Sequence, residues 1–241
     1  MQEWTDFLCQ DLWLSQTLGC EAFSFSLSEL KPGTRLKKTK LSPNSFVYAK
    51  ISVNDQETIQ VIQSLGFLLV DTQVQLVKSI QSRIFFNVQP GRVRMATDED
   101  RERVIQIARK SFVYSRFHRD SHFEKDVADN LKAAWTNNYF NGLRGDGLLI
   151  AEYEGLPSAF LLFIQHNQSW IIDLIATDPD YQRLGLGADL LSTFEAWAPP
   201  EIINLKVGTQ LINLPSLRLY LRSGYQISEA FYMFHFHQES N

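Results

Sequence analysis

The central feature of this sequence is the segment Thr177-Asp178-Pro179-Asp180-Tyr181-Gln182-Arg183-Leu184-Gly185-Leu186-Gly187-Ala188. The apolar run before it, Ile171 to Ala176, predicts a strand. After it, apolar residues recur on one face of a predicted helix that ends at Pro199-Pro200. The segment therefore joins a strand to the start of a helix through two glycines. Such a junction presents backbone N–H groups at the positive end of the helix dipole, so the sequence predicts a phosphate-binding loop.

The spacing of the glycines separates this loop from the common phosphate-binding motifs. No Lys-Ser/Thr pair follows them, as a P-loop requires, and a dinucleotide fingerprint needs three glycines. The pattern Gln182-x-x-Gly185-x-Gly187, after a strand and before a helix, resembles the acetyl-CoA pyrophosphate loop of the Gcn5-related N-acetyltransferases (GNAT). The resemblance implies acetyl-CoA as acetyl donor. It also implies that the coenzyme contacts Ile175, Ala176, Thr177, Gln182, Arg183, Leu184, Gly185, Leu186, Gly187 and Ala188.

A second motif lies nearer the C-terminus, Asn213-x-x-Ser216-x-x-x-Tyr220-x-x-x-Gly224-Tyr225. On a helix, its Asn, Ser and first Tyr fall on the same face. The motif resembles the GNAT signature Asn-x-x-Ala-x-x-x-Tyr-x-x-x-Gly-Phe. That resemblance implies that Asn213 and Ser216 contact the coenzyme and that Tyr220 is a general acid near the thioester sulfur. A phenol with a pKa near 10 can donate a proton to a departing thiolate. A purely structural tyrosine is the alternative.

Asp173 is the candidate general base, because strand alternation places it on the same face as Ile175 and Thr177. Two interpretations are open. Asp173 accepts the proton of the attacking amine, directly or through water, or it is a buried acid satisfied by backbone groups or an arginine. His118 and His166 are weaker candidates.

His235 and His237 share a strand face, which is one element of a metal site. The sequence shows no further ligand for them, so we expect no bound metal.

The predicted element order from residue 91 onward is β-α-α-β-β-β-α-β-α-β, which indicates an α/β fold around a mixed sheet. This order matches the GNAT fold over roughly residues 91 to 238, so we expect a complete catalytic domain at residues 91–241. Gln89-Pro90-Gly91 marks its boundary.

The first third of the chain is harder to interpret. Residues 3–19 have loosely helical spacing, and residues 23–27 alternate like a strand. A strand at 46–53, a helix at 55–64, a turn at Gly66 and a strand at 68–77 then follow. The same order recurs as a strand at 202–207, a helix at 213–223, Gly224 and a strand at 231–236. We interpret residues 1–88 as a partial, degenerate copy of the GNAT fold without a coenzyme site; chance similarity is the alternative.

Within the family, the chain is similar to the dTDP-fucosamine acetyltransferases. The similarity rests on Ser115-Arg116-Phe117 with the acidic and aromatic residues after it, and on Leu65-Gly66-Phe67-Leu68-Leu69-Val70-Asp71-Thr72. It implies a dTDP-linked 4-amino-4,6-dideoxyhexose as acceptor, contacted by Ser115, Arg116, Phe117 and His118, and a homodimer. Two alternatives are open: acetylation of another amine (a peptide N-terminus, a polyamine or an antibiotic) and a non-catalytic acyl-CoA-binding module. Tyr220 argues against the second, because a binder needs no acid at the sulfur.

Composition excludes several other classes of protein. The 241 residues carry 23 Lys+Arg against 27 Asp+Glu, a net charge of −4 that argues against a general nucleic-acid binder. The segment Lys31–Lys40 holds five basic residues, and it is either a contact for an anionic substrate or a solvated loop. No signal peptide or membrane-spanning run is evident, and Cys9 and Cys20 suit a reducing compartment. We therefore expect a cytoplasmic enzyme.

Overall fold

The computed structural model describes residues 2–26, 36–80 and 92–239. The predicted boundary Gln89-Pro90-Gly91 and residues 31–35 of the basic segment lie outside these ranges. The strands are β1 Gln2–Glu3, β2 Leu8–Gln10, β3 Ala22–Phe25, β4 Leu36–Lys37, β5 Phe46–Ser52, β6 Leu68–Ser79, β7 Val93–Met95, β8 Gly147–Tyr153, β9 Leu156–His166, β10 Ser169–Thr177, β11 Asn204–Gln210 and β12 Gln226–His237. The α-helices are α1 Leu12–Leu18, α2 Gln56–Ser64, α3 Arg101–Ser111, α4 Arg116–Arg119, α5 Lys125–Phe140, α6 Leu186–Trp197 and α7 Leu214–Arg222. None of the helices in the described ranges has both the length and the apolar character of a membrane span.

The chain forms two compact units, each built from separate segments. The first unit comprises Met1–Gln73, Arg116–Glu124 and Glu229–Asn241, and the second comprises Val74–Ser115 and Lys125–Ser228. The units do not follow the predicted boundary near residue 90. The physical reason is strand pairing, because β12 pairs antiparallel with β5 from Phe231↔Ser52 to His237↔Phe46. The interpretation of residues 1–88 as a degenerate copy stays a prediction.

The first unit has an aromatic core around Trp4, which is fully buried. Its ring centroid lies 6.0, 5.8 and 5.1 Å from those of Phe25, Phe67 and Phe236. The indole Nε1–H donates a hydrogen bond of 2.7 Å to the carbonyl oxygen of Thr39, so the one polar atom of this ring is satisfied. Around this core, β2 pairs antiparallel with β3, and β3 pairs parallel with β5.

The loosely helical spacing of residues 3–19 corresponds to a helix only in its second half. Trp4–Phe7 form a 3-10 turn and Leu8–Gln10 a short strand, and only Leu12–Leu18 is α-helical. Asp11 sets the start of this helix, because its carboxylate accepts a hydrogen bond from the N–H of Leu14. Gly19, with φ 70°, ends it in the left-handed conformation. Packing of Trp4 in the core therefore overrides the loosely helical spacing.

The second unit contains the mixed sheet, and the predicted α/β fold is confirmed. Strands β7, β8, β9 and β10 pair antiparallel in sequence, and β11 pairs parallel with β10. Helix α3 packs on one face, where Ile107 joins Phe160 and Leu162 in a buried cluster. Phe163, three residues after Phe160, points to the other face, and its ring lies 5.2 Å from that of Phe194 in α6. Helices thus cover both faces of the sheet.

The two segments that the sequence suggests are copies share their element lengths. Strand, helix and strand have 7, 9 and 12 residues in β5, α2 and β6, and again 7, 9 and 12 in β11, α7 and β12. Asp55 and Asn213 cap the two helices, each accepting from the N–H three residues on. Gly66 and Gly224 follow them with φ of 89° and 85°. The same local plan is therefore used twice.

Candidate functional site

Strands β10 and β11 stop pairing before either strand ends. Their parallel ladder runs only from Ser169↔Asn204 to Ile172↔Val207, whereas β10 continues to Thr177 and β11 to Gln210. The register of β10 against β9 also shifts between Ile172 and Leu174, which places a bulge at Asp173. Strands that remain extended without pairing expose backbone N–H and C=O groups toward the gap. A gap between the two strands therefore lies beside the end of β10. The predicted coenzyme contacts Ile175, Ala176 and Thr177 belong to this end of the strand.

The predicted phosphate loop follows β10 and starts helix α6 at Leu186. Arg183 and Gly185 have φ of 65° and 84°, the left-handed conformation that Gly185 adopts without steric cost. Residues 182–185 are exposed. In the described part of the chain, no hydrogen bond uses the backbone N–H groups of residues 183–187. These donors at the N-terminus of α6 are accordingly available to an anion.

Ion pairs hold this loop at both ends. Before it, the fully buried Asp178 lies 2.7 Å from Nη2 of Arg103 and 3.0 Å from Nζ of Lys110. On the other side, Arg92 donates from Nη2 to the carbonyl oxygen of Leu184 in the loop at 3.0 Å. It also donates from Nη1 to Asp189, just after the loop, at 2.9 Å. Charge-assisted contacts of this kind fix the loop before any ligand arrives. Sequence patterns alone do not assign a function to these cations, because they lie far from the loop along the chain.

Helix α7 packs against the first turn of α6. A Cβ built on Gly187 would lie 3.1 Å from Cδ2 of Leu219 and 4.0 Å from Oγ1 of Thr177. A side chain at this position would crowd Leu219, and glycine leaves room for the close approach. Gly187 thus brings together the end of β10, the loop and the helix that carries Tyr220, which joins the two sequence motifs in one place.

Tyr220 is almost completely buried, at 2% exposure. Within the described ranges, none of the hydrogen bonds found involves its hydroxyl group, and its ring centroid lies 5.7 Å from that of Tyr225. Burial raises the pKa of Tyr220 above the ordinary value for a phenol. The hydroxyl therefore keeps its proton throughout the neutral range and can donate it.

Asn213 and Ser216 have a local structural role. The Oδ1 of Asn213 accepts a hydrogen bond of 3.2 Å from the backbone N–H of Ser216 and so caps helix α7. The cap fixes the start of the helix that carries Tyr220. Contact of either residue with a coenzyme stays a prediction.

The carboxylate of Asp173 is surrounded by hydrogen-bond donors. Its Oδ2 accepts from Nε1 of Trp135, from the hydroxyl of Tyr139 and from Nε of Arg144, each at 2.7 Å, and its Oδ1 accepts from Nη2 of Arg144 at 2.9 Å. Burial alone would raise the pKa of Asp173, but these donors outweigh it and hold the pKa below the ordinary range. This geometry favours the interpretation of Asp173 as an acid satisfied by an arginine. Trp135 and Tyr139 lie four residues apart on α5, a spacing that puts them on one helix face.

We expect Asp173→Asn to destabilise the protein rather than to remove a base. The free energy of unfolding should fall by about 2 kcal/mol, because Arg144, about one-third exposed, loses its charged partner. Since the folded-state pKa of Asp173 is lowered, this loss should be complete above about pH 4 and shrink below it. Denaturant unfolding at several pH values measures it. Turnover per folded molecule should fall less than about tenfold; a fall of about 100-fold with unchanged stability would instead identify Asp173 as the base.

The predicted substrate residues are divided between the two units. Ser115 is buried in the second unit, and Arg116, Phe117 and His118 lie in α4 of the first. Phe117 is a core residue at 3% exposure. The guanidinium of Arg116 lies 4.1 Å from the ring centroid of Tyr48, and its buried Nη1 has no hydrogen-bond partner in the described part of the chain. Burial lowers the pKa of Arg116 to about 10, so it is still a cation at neutral pH.

Comparison with known sequences gives a family and two similar proteins. The profile described as "Acetyltransferase (GNAT) family" matches residues 102–225. The spore coat polysaccharide biosynthesis protein SpsD of Bacillus subtilis (strain 168) is 25% identical over 236 residues, covering 93% of this chain and 80% of that protein. The dTDP-fucosamine acetyltransferase of Escherichia coli O6:H1 is 28% identical over 196 residues, covering 80% of this chain and 82% of that protein.

Comparison with solved structures shows the same fold. A GCN5-related N-acetyltransferase from Sphaerobacter thermophilus superposes with a TM-score of 0.60 at 11% identity, covering 83% of this chain and 62% of that one. A tandem GNAT protein from the clavulanic acid biosynthesis pathway superposes with a TM-score of 0.52 at 10% identity, covering 81% of this chain and 65% of that one.

Proposed function

Because this chain belongs to the GNAT acetyltransferase family, we propose that it transfers the acetyl group of acetyl-CoA to the amino group of a nucleotide-linked sugar, specifically a dTDP-linked 4-amino-4,6-dideoxyhexose. The proposed substrate rests on the similarity to dTDP-fucosamine acetyltransferase over 80% of this chain. That share exceeds the family match at residues 102–225, so the similarity extends beyond the region that the family profile covers. The name of SpsD, a polysaccharide biosynthesis protein, also points to sugar chemistry.

The second unit fits acetyl-CoA. The N–H groups of residues 183–187 would hold its diphosphate, as an anion at a helix N-terminus, and the gap between β10 and β11 would take its extended arm. When bound, acetyl-CoA supplies a thioester carbonyl that an amine attacks and a thiol that leaves. Arg92, Arg103 and Lys110 hold the loop in shape, so little ordering of the loop opposes binding.

Tyr220 is the proposed general acid. Its burial and raised pKa keep the hydroxyl protonated, and the hydroxyl is not committed to another group in the described part of the chain. Leu219, the residue before Tyr220, packs against Gly187, so helix α7 places Tyr220 next to a residue that reaches the loop. A proton donated at the sulfur helps the thiol to leave.

Arg116 is the proposed contact for an anionic part of the acceptor. Its Nη1 is buried and has no hydrogen-bond partner among the described residues, a costly state that an acceptor oxygen would relieve. A guanidinium suits phosphate oxygens because it is planar, charged and rich in donors. Ser115, Phe117 and His118 stay predicted neighbours of the substrate.

A panel of acceptors tests this proposal. Acetyl-CoA is mixed with dTDP-4-amino-4,6-dideoxyhexoses, other nucleotide amino sugars, the free amino sugars, a polyamine and a peptide, and the release of free thiol is followed together with acetylation of the acceptor. We expect kcat/KM of about 10⁴ M⁻¹s⁻¹ or more for a dTDP-linked sugar. The free sugar should react far more slowly, since it lacks the phosphates. Acetylation of the peptide or polyamine alone would refute the sugar acceptor and leave the family assignment intact.

Two further properties belong to the proposal, a cytoplasmic location and a homodimer. Both come from the composition and the similarity described above. Fractionation of cells and light scattering of the purified protein measure them directly.

A further inference from the structure

Four polar side chains of the first unit meet in one cluster. Asp120 and His122 follow helix α4, and His235 and His237 lie on one face of β12. The Oδ2 of Asp120 lies 2.6 Å from Nδ1 of His235 and 2.7 Å from Nε2 of His237. The Oδ1 of Asp120 lies 2.9 Å from Nδ1 of His122, and the rings of His122 and His237 stack at 4.0 Å. Three of the five histidines of the chain thus surround one carboxylate.

The cluster lies in an apolar pocket with one side open. The ring of Phe46 lies 4.8 Å from that of His235, and the ring of Phe123 lies 5.2 Å from that of His237. Asp120 and His235 are buried, whereas the side chain of His122 is 43% exposed. The Nε2 of His235 is buried and has no hydrogen-bond partner in the described ranges. Apolar walls around a compact set of nitrogen and oxygen atoms are typical of metal sites.

We propose that Asp120, His235 and His237 bind one divalent transition-metal ion of the zinc type, while His122 keeps its contact with Oδ1 of Asp120. One atom from each of the first three residues lies within 4.8 Å of the others. In a tetrahedral site, bonds of about 2.1 Å to zinc place two ligand atoms about 3.4 Å apart. The ring nitrogens of His235 and His237 lie 2.6 and 2.7 Å from Oδ2 of Asp120, so these atoms need to move apart by less than about 1 Å. Imidazole with carboxylate suits Zn²⁺, Co²⁺ or Ni²⁺, whereas Mg²⁺ and Ca²⁺ prefer sets of oxygen ligands.

The imidazole rings can serve as ligands once their hydrogens are rearranged. A neutral imidazole offers one ring nitrogen to a metal and carries its hydrogen on the other. The N–H hydrogens that now face Asp120 would move to the other nitrogen of each neutral ring. In His235 that nitrogen has no partner in the described ranges before or after the move. Metal bonds therefore replace two hydrogen bonds without removing any other.

Our expectation from the sequence was that no metal binds, because His235 and His237 lacked a further ligand. The structure brings Asp120 to them from 115 positions away in the chain. All three ligands belong to the first unit, and none of them is assigned to acetyl transfer. Its role is to fasten the segment after α4 to β12, which stabilises this unit.

Metal binding by the purified full-length protein tests the proposal. The protein is stripped with a chelator and titrated with Zn²⁺, Co²⁺ or Mg²⁺ alone, and calorimetry, the visible absorption of bound Co²⁺ and the melting temperature are measured. The variant is His237→Gln, which keeps a donor toward Asp120 and so protects the fold. His166→Gln is the control, because His166 is exposed at the end of β9 and outside the cluster.

We expect one Zn²⁺ or Co²⁺ per chain, no binding of Mg²⁺, and a rise in Tm of about 5 °C with saturating Zn²⁺. Affinity should fall at least tenfold in His237→Gln and stay unchanged in His166→Gln. Absence of saturable 1:1 binding to the folded wild type would overturn the proposal and identify the cluster as a hydrogen-bond network only. Unchanged affinity in His237→Gln, or lost affinity in His166→Gln, would also overturn it. None of these measurements depends on acetyl transfer, so failure of the acceptor panel leaves them unaffected.

Discussion

Replacement of Tyr220 by phenylalanine should lower kcat by about 100-fold or more and leave the Kd for acetyl-CoA within about threefold. The substitution removes the proton donor and keeps the ring that packs in the core. Because the hydroxyl makes no hydrogen bond within the described ranges, the melting temperature should not fall. Steady-state kinetics, equilibrium binding of acetyl-CoA and thermal unfolding separate these effects.

Tyr225 supplies a matched control for this substitution. It is also buried, its hydroxyl also has no partner in the described part of the chain, and its ring is 5.7 Å from that of Tyr220. Tyr225→Phe should therefore leave kcat within about threefold of wild type. Equal losses in the two variants would show that the effect comes from packing, and an unchanged kcat in Tyr220→Phe would remove Tyr220 from the mechanism.

Gly185→Ala should weaken acetyl-CoA binding by about 30-fold or more. The added methyl group stands at the start of α6, among the N–H groups that would hold the diphosphate, and it blocks the approach of an anion to the backbone. The measurement is the Kd for acetyl-CoA, with CoA as a second ligand that shares the diphosphate. Both values should rise together, since the change acts on the part of the ligand that they have in common.

Gly155→Ala is the control for the strain that this change introduces. Gly185 and Gly155 have φ of 84° and 79°, and a Cβ at either meets nothing within 4 Å, so both substitutions cost a similar 1–2 kcal/mol, roughly, of backbone strain. Gly155 lies in the hairpin between β8 and β9, and its variant should bind acetyl-CoA normally. Gly187 is less suitable, because a side chain there would also collide with Leu219. If Gly185→Ala binds acetyl-CoA as tightly as Gly155→Ala does, the assignment of the loop is wrong.

Local patterns in the sequence were enough to predict the mixed sheet and the position of the loop between a strand and a helix. The strand before Thr177, the two glycines and the periodic helix after them are all encoded within about twenty-five residues. The position of Tyr220 on its helix likewise follows from local spacing, and its role stays a prediction. The structure adds the supporting contacts, in which Arg92, Arg103 and Lys110 reach the loop from distant parts of the chain.

Long-range contacts explain what the sequence did not reveal. The environment of Asp173 depends on Arg144, 29 positions earlier, so the sequence left its two interpretations equal. The division into units depends on pairing between β5 and β12, whereas linker composition suggested a boundary near residue 90. The start of the chain is helical only in part because burial of Trp4 outweighs the helical spacing. Periodic patterns of apolar residues indicate local structure, whereas each of these features depends on residues that are far apart in the chain.

The pairing of β5 with β12 has a consequence for the order in which this protein is made. The paired residues are 179 to 191 positions apart, so at 5–20 residues per second β5 leaves the ribosome roughly 10–40 s before its partner strand. Phe234 and Phe236 belong to the same buried cluster as Trp4 and Phe25, and until they emerge these aromatic side chains lack part of their cover. A nascent chain in this state exposes apolar surface to which a chaperone can bind. Premature termination just before residue 229 would leave that surface exposed permanently, and such products should aggregate or be degraded.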